Sequence, residues 1–509
     1  MRDLTGNTNG RAAQPVCPRA GRAVRADLGA AAETASAPHP RRSRFGLASA
    51  RAAWLRVALA AALFAAAHAP LSASPPAPDA QPALPLSLRQ AVAIALAPDG
   101  NARALLARES ARVAEAQAAQ SRAALLPHID GAAQYQDFTR SLRAFGMGEV
   151  ATSIPGFAVP SVVGPVQVYD FRLGASQSVF DFSAIRRFQS ARASAKAARE
   201  DSGGVDDQVA AEVARAYLSA LRAEALLEVA WSNRRLSEEL LRLAENRKAA
   251  GDGTGLEVAR AGAQLANDEQ ALEVATNDLR LAHLALLRVM GLGLDTALAL
   301  TDKLAYAPAE AGELDEAGVG EAVEAALQNR PELRAQAGRE DSARLQAGAA
   351  RWERLPSLSA TGDYGSVGTA LDSVSPTRVF ALTLKIPLFD GGRREAVRAE
   401  ADARLRGERI RTRDVRAEVE SEVRQAMYSL RSAEAQYAAA REGLRLAEQE
   451  MAHARRRYDA DVATGLEVTD AQARLARARA NLTAALYNHN LARVGLGAAT
   501  GTIRDFVNR

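Results

Sequence analysis

Residues 355–390 read LPSLSATGDYGSVGTALDSVSPTRVFALTLKIPLFD, and this stretch decides the fold. Apolar or small side chains stand at every second position from Leu358 to Tyr364 and again from Phe380 to Leu388. A period of two places alternate side chains on opposite faces of a β-strand. The stretch therefore predicts two paired strands of roughly ten residues, with one apolar face and one polar or small face.

The same series of signals occurs in the first half of the chain. A Leu-Pro pair at 126–127 precedes two alternating segments that end in Val-Phe-Asp at 179–181. Further on, Gly-Leu-Glu-Val at 255–258 returns at 465–468, an offset of 210 residues. Solenoid repeats have periods of only about 20–50 residues. We therefore interpret the chain as an internal duplication of a large unit.

The segments around each hairpin have helical periodicity. Residues 88–125 and 318–354 are rich in Ala, Leu, Arg and Glu and predict helices of about 38 residues that end at the Leu-Pro pairs. After the hairpins, residues from about 183 to 250 and from about 392 to 461 contain no Pro and predict rods of about 100 Å. Returning helices at about 255–290 and 465–498 are half as long. We expect each returning helix to stack end to end with one of the 38-residue helices, so that the two together run alongside a rod.

The second rod carries a seam of apolar side chains with an unbroken 4–3 spacing, and the first rod repeats it 210 residues earlier. Small Ala side chains at many seam positions allow close helix approach, which is typical of coiled coils. The seam consists of Val419, Val423, Ala426, Leu430, Ala433, Tyr437, Ala440, Leu444, Ala447, Met451, Ala454 and Tyr458, and its earlier counterpart of Val209, Val213, Ala216, Ala220, Ala223, Leu227 and Ala230.

The four strands have an apolar face that predicts contact with lipid. An open sheet in lipid leaves edge N–H and C=O groups unpaired, at several kcal/mol each, so only a closed barrel is stable there. One chain supplies too few strands to close a barrel, and we therefore expect several copies to share one, with the rods extending its bore. The side chains expected to face lipid are Phe380, Leu382, Leu384, Ile386, Leu388, Tyr169, Phe171 and Leu173.

Composition excludes several classes of function. The formal charge is +4, but residues 1–73 hold ten Arg and three acids, which leaves 54 basic and 57 acidic residues, a net of −3. That body is not expected to bind nucleic acid. Cys17 is the single cysteine, and the six histidines have no partner at i,i+4. We therefore expect no metal, no cofactor and no enzymatic activity.

The N-terminal residues predict a secretory signal. Arginines between residues 41 and 56 lead into an uncharged apolar run at 57–67, followed by small residues near Ala69 and Ala73. The run is too short to span a membrane, which takes about 20 residues, and it fits the apolar core of a signal peptide. A retained membrane anchor is the alternative. Residues 74–85 are rich in Pro and predict an exposed linker.

The doubled order of helix, Leu-Pro, hairpin, Phe-Asp, long helix, Gly-Leu-Glu-Val turn and returning helix resembles the TolC-like outer-membrane efflux protein family. The resemblance covers residues 86–502. It implies a mainly α-helical homotrimer in the outer membrane, with a 12-stranded β-barrel and a 12-helix periplasmic tunnel. It also implies an exit duct for a tripartite efflux pump or a type I secretion system, working with a periplasmic adaptor and an inner-membrane transporter. The alternative from the residues alone is a periplasmic coiled-coil adaptor or scaffold without a barrel.

On this interpretation the chain divides into two repeats. The first repeat is 86–300, with its hairpin at 128–182, and the second is 318–502, with its hairpin at 357–390. A connector at 301–317 joins the two repeats. A tail at 503–509 follows the second.

The resemblance also places the helix-to-helix turns near 247–260 and 458–470 at the end farthest from the membrane, where the family's bore is constricted. Tyr458, Glu467 and Asp470 match positions at which the family commonly has a tyrosine and acidic residues at this aperture. The family's usual glycine and basic residue are replaced here by Asp461 and Ala463. Alternatively, Glu467 and Asp470 offset the dipole of the returning helix. In the first half, Glu257 and Arg260 occupy the corresponding positions and favour a local i,i+3 ion pair.

Overall fold

The computed structural model describes residues 83–145, 160–308, 315–460 and 462–508. The predicted signal peptide and almost all of the predicted linker lie outside the described residues, as does Asp461. The described residues belong to one compact unit, Ala80–Arg509. Its elements in chain order are β1 (Leu84–Leu86), α1 (Leu88–Ala95), α2 (Ala102–Ala123), β2 (His128–Ser141), a 3₁₀ turn (Arg143–Phe145), β3 (Val162–Phe180), α3 (Phe182–Ala250), α4 (Gly255–Met290), β4 (Leu298–Leu300), α5 (Glu316–Asn329), α6 (Pro331–Trp352), β5 (Ser357–Gly368), β6 (Ser375–Lys385), α7 (Arg393–Asp459), α8 (Gly465–Ala499) and α9 (Ile503–Asn508).

Two very long helices dominate the molecule, as the periodicity predicted. Helix α3 has 69 residues and α7 has 67, so each is a rod of about 100 Å at 1.5 Å per residue. Rod α3 packs against α2, α4, α6 and α8, and rod α7 packs against α5, α6 and α8. Most of the predicted seam is buried, and Met427, which the 4–3 spacing did not include, joins it at 2% exposure.

The returning helices stack end to end with the shorter helices, as expected. Helix α4 ends at Gly291, whose φ is +78°. The side-chain amide of Asn101, the residue that caps α2, donates a hydrogen bond of 2.7 Å to the carbonyl oxygen of Val289. A Cβ at Gly291 would lie 2.7 Å from the carbonyl oxygen of Gly100. The repeated glycine Gly501, with φ of +73°, lies in the same way against Arg330.

The prediction of continuous helices at 88–125 and 318–354 is wrong, because each is broken. The first breaks between α1 and α2, where Pro98 and Gly100 precede the capping residue Asn101. The second breaks at Arg330, which is extended because the α conformation is disfavoured before a proline. Each break creates the helix start against which a returning helix ends.

Short elements that the sequence did not reveal complete the core near the middle of rod α3. Strand β1 pairs in parallel with β4, and the hydroxyl of Tyr217 lies 2.8 Å from both the Leu86 carbonyl oxygen and an Asp302 carboxylate oxygen. The predicted tail contains α9, whose Ile503 is fully buried. Residues 298–300 and 503–508 thus belong to the packed body of the protein.

The four longer strands form one antiparallel sheet in the order β2-β3-β5-β6. They contain 14, 19, 12 and 11 residues, so the first hairpin is longer than the predicted ten residues per strand. Within the described residues, β2 and β6 are the edges of this sheet and pair with no further strand.

None of the described helices combines the length and the apolar character needed to cross a membrane.

Candidate functional sites on the sheet and at the helix-hairpin tips

One face of the sheet is apolar and exposed. Residues that pair directly across antiparallel strands share a face, and one such row consists of Gly131, Leu173, Tyr364 and Arg378. Phe380 on this face is 94% exposed and Leu382 is 69% exposed. The large apolar side chains on this face include Ile129, Tyr135, Tyr169, Phe171, Leu173, Phe180, Leu358, Tyr364, Phe380, Leu382 and Leu384.

Two residues predicted to face lipid lie outside the strand. Strand β6 ends at Lys385, so Ile386 and Leu388 follow it. Pro387 stands between them, and a proline has no N–H with which to continue the ladder. Both side chains are exposed, at 56% and 90%, but the structure assigns neither to a strand face.

The opposite face of the sheet is polar. Arg172 on β3 donates hydrogen bonds to Asp170 at 2.8 Å and to Asp363 on β5 at 2.6 Å. Asp130 on β2 shares a row with Gly174 and Asp363. This charged group ties β3 to β5 and suits contact with water, whereas the first face suits contact with an apolar medium.

At the opposite end of the rods, Tyr458 is buried where α7 meets α3. It is 5% exposed and packs in a cluster with Met451, Val468 and Leu475. The guanidinium of Arg247, in the last turn of α3, donates a 2.8 Å hydrogen bond to the Tyr458 carbonyl oxygen and lies 4.4 Å from the centre of its ring. The two helical hairpins are therefore tied together here. The sequence pattern gives no sign of Arg247, because the contact joins residues 211 positions apart.

The two acidic residues predicted for the second tip have different surroundings. Glu467 is the third residue of α8, and its carboxylate lies 3.5 Å from Arg457. Asp470 is the sixth residue of α8 and is exposed, and its side chain makes no hydrogen bond or ion pair within the described part of the chain. The favourable effect of the helix dipole is confined to the first turn. The dipole alternative therefore fits Glu467 and not Asp470.

At the first tip, Glu257 and Arg260 do not form the expected pair. The Glu257 side chain accepts from the backbone N–H of Thr254 at 3.3 Å, and the Thr254 hydroxyl accepts from the Glu257 N–H, which is a capping box. Among the ion pairs of the described ranges, none joins Glu257 to Arg260. The Glu257 carboxylate lies beside Gly465, and Arg260 lines a small cavity with Tyr458 and Gln472. Glu257 and Arg260 of the first tip thus lie close to Gly465 and Tyr458 of the second.

A buried polar group joins the two hairpins farther from the tips. Ser237 on α3 donates to the carboxylate of Asp268 on α4, and Gln472 on α8 donates to Ser237. Gln264 adds a hydrogen bond of 3.2 Å to Asp268. Exposure is 1% for Ser237, 9% for Asp268 and 3% for Gln472. In the sequence, this group is indicated only by polar residues at helix positions where apolar ones are expected, and that pattern does not show which of them contact each other.

Within the described residues, no group of three or more His, Cys, Asp or Glu side chains is arranged to hold a metal ion.

The chain matches a family of known proteins over most of its length. A family model described as outer membrane efflux protein matches residues 100–292 and 322–502. The outer membrane protein OprJ of Pseudomonas aeruginosa is 31% identical over 305 residues, which are 57% of this chain and 58% of OprJ. The pyoverdine export outer membrane protein OpmQ of the same organism is 29% identical over 301 residues, 58% of this chain and 59% of OpmQ. The matched region thus spans under two thirds of these two relatives.

Solved structures share the fold. VceC of Vibrio cholerae has a TM-score of 0.69 at 21% identity, covering 81% of this chain and 96% of that chain. CmeC of Campylobacter jejuni has a TM-score of 0.69 at 18% identity, covering 82% and 86%. Both are outer membrane proteins by their descriptions, and the likeness extends over both the sheet and the rods.

Proposed function

The chain belongs to the outer membrane efflux protein family, and from this premise we propose that three copies form a passive duct from the periplasm across the outer membrane. The strands of all three copies form one barrel of 12 strands. The rods prolong its bore into the periplasm as a helical tunnel. Solutes move through the duct without a chemical step, as befits a family of channels rather than enzymes.

The observation that carries the proposal is the exposed apolar face on a sheet with two unpaired edges. Phe380, Leu382 and Leu384 protrude from one side of β6, and burial of such side chains in lipid is worth about 1.5–3 kcal/mol each. Both edges must then be paired, because unpaired backbone groups in lipid cost several kcal/mol each. Closure by further copies satisfies both requirements, with the apolar face outward and the Arg172 group toward the bore.

We propose that the lipid contacts are made by Tyr169, Phe171, Leu173, Phe380, Leu382 and Leu384. We propose that the aperture at the far end involves Tyr458, Glu467, Asp470, Glu257 and Arg260. In a threefold assembly the unpaired carboxylate of Asp470 becomes a ring of three like charges, and such rings favour cations.

The partners of the duct are also part of the proposal. A periplasmic adaptor and an inner-membrane transporter supply the connection and the energy, because nothing in a passive duct drives transport. OprJ, OpmQ and the outer membrane efflux protein BepC of Brucella suis are outer-membrane proteins by name. Their relationship favours a duct in that membrane over a periplasmic adaptor or scaffold.

Conductance of the purified protein in a planar lipid bilayer tests the proposal. We expect discrete current steps from wild-type protein extracted from the outer-membrane fraction. Recovery of the protein as a soluble periplasmic species would reject the duct in favour of the scaffold. Bilayers that stay silent after confirmed insertion would reject a conducting duct.

A further inference from the structure

Two charged side chains on the apolar face have no oppositely charged partner within the described part of the chain. Arg378 lies on β6 and Asp137 lies on β2, and both are exposed. Asp137 interacts with the Tyr135 hydroxyl on its own strand, which leaves its charge uncompensated. Strands β2 and β6 are the two edges of the sheet, so each unpaired charge stands at an edge where a further copy is expected.

Both charges lie at the same border of the apolar face. On each strand, the apolar face ends with an aromatic side chain, and the next residue on that face toward the hairpin loop is polar or charged. Aromatic side chains mark the border between hydrocarbon and headgroups in transmembrane barrels. The charges of neighbouring copies therefore meet at one depth. The successive residues are Tyr135 and Asp137 on β2, Tyr169 and Gln167 on β3, Tyr364 and Ser366 on β5, and Phe380 and Arg378 on β6.

The strand ends limit how β6 of one copy pairs with β2 of the next. Within one chain, Ala381 shares a row with His128, where β2 begins, and four more residues of β6 extend beyond it. Ser375 shares a row with Gln134, seven residues before β2 ends at Ser141. For every residue of β6 to have a partner on β2 of the next copy, that β2 must be displaced from these rows. Each β6 residue then pairs with a β2 residue four to seven positions closer to Ser141 than its row partner within one chain.

Pleat and charge select one shift within this range. An odd shift would turn the apolar face of one strand against the polar face of the other, so the shift is four or six. A shift of four sets Arg378 opposite Tyr135 and leaves Asp137 opposite Pro376. A shift of six sets Arg378 directly opposite Asp137, and opposite charges in that position stabilise a strand pair.

We propose that β6 of each copy pairs with β2 of the next at a shift of six residues, with an Arg378–Asp137 ion pair across the seam that fixes the register of the barrel. This inference rests on the proposed function, in which copies of the chain share one barrel. The partner that each edge recognises is the opposite edge of a second copy. The pair also leaves neither charge isolated at the border of the lipid.

Cysteine cross-linking tests the register. In a Cys17→Ser background, Val379→Cys is combined with one further cysteine on β2, so that Arg378 and Asp137 both stay in place, and outer-membrane samples are oxidised and separated without reducing agent. A shift of six sets Val379 opposite Gln136, so we expect the highest yield of linked chains with Gln136→Cys, and a maximum at any other position overturns the inference. The other positions compared are Gln134→Cys, which a shift of four would favour, Phe138→Cys and, on the opposite face, Tyr135→Cys.

Charge exchange tests the ion pair. Arg378→Asp alone and Asp137→Arg alone should each lower the amount of heat-modifiable oligomer by about tenfold, because like charges then face each other at every seam. The double variant should restore it. If Arg378 instead served a lipid phosphate, the double variant would stay as defective as Arg378→Asp, and the inference would be wrong. Absence of any oligomer from the wild-type protein would be a failure of the proposed function instead.

Discussion

Replacement of Leu382 by Arg should prevent assembly in the outer membrane. Leu382 lies between Phe380 and Leu384 on the apolar face of β6 (Ser375–Lys385) and is 69% exposed within the chain, so its medium in the barrel is lipid. An arginine at the middle of the lipid-facing surface costs about 2–4 kcal/mol. Three copies carry the change in one barrel, which makes about 6–12 kcal/mol per assembly. A loss of this size exceeds or matches the whole stability of many domains.

Val379→Arg is the matched control for this change. Val379 lies on the same strand, is 52% exposed, and shares a row with Asp363 on the polar face. An added arginine there meets water and a carboxylate, so we expect normal assembly. The assay is the heat-modifiable oligomer in outer-membrane fractions, normalised to total protein. Normal assembly of Leu382→Arg, or equal loss with Val379→Arg, would refute the assignment of the two faces.

Three further predictions concern the helical body. Gly291→Ala should destabilise the protein by about 2–3 kcal/mol in thermal melts, because φ is +78° and the new Cβ would lie 2.7 Å from a backbone oxygen. The control Gly320→Ala, with open space around it, should be neutral or stabilising. The reverse order of the two stabilities would contradict the stacked helix ends. Burial lowers the pKa of His489 below its ordinary 6.5, and Arg493 adds to this against an opposing effect of Glu434; the stability that depends on the neutral ring is therefore complete above pH 6.5 and is lost as the pH falls toward the lower pKa of the folded state. Neither nitrogen of this fully buried ring has a hydrogen-bond partner within the described residues, so His489→Leu should raise stability by about 1–3 kcal/mol. It should also flatten the acid side of the plot of melting temperature against pH. An unchanged plot would contradict this role of His489. Asp470→Asn should change single-channel conductance or its block by multivalent cations, whereas identical currents would remove Asp470 from the aperture.

The sequence predicted the long-range plan of the fold because that plan has strong local signals. The rods, the returning helices and the two hairpins follow from periodicity and from proline and glycine positions, and their bounds agree with the structure to within a few residues. The helix breaks at Pro98 and Pro331 also had local signals. They were overlooked because the stretches on either side share one helical composition.

The candidate sites were less predictable, since they depend on contacts between distant residues. Arg247 meets Tyr458, and Ser237 meets Gln472, across more than 200 positions of the chain, and no periodicity links such pairs. Strands of three residues, such as β1 and β4, are too short to show a period. Pro387 indicated that β6 ends before Ile386. Apolar residues continue to alternate past this proline, however, so the alternation predicts a longer strand than the one observed.

Native mass spectrometry of the protein released from detergent micelles tests the central claim most directly. We expect a dominant species of three chains, since four strands per chain with two free edges require further copies to close. A dominant single chain, under conditions in which the strands remain folded by circular dichroism, would contradict it.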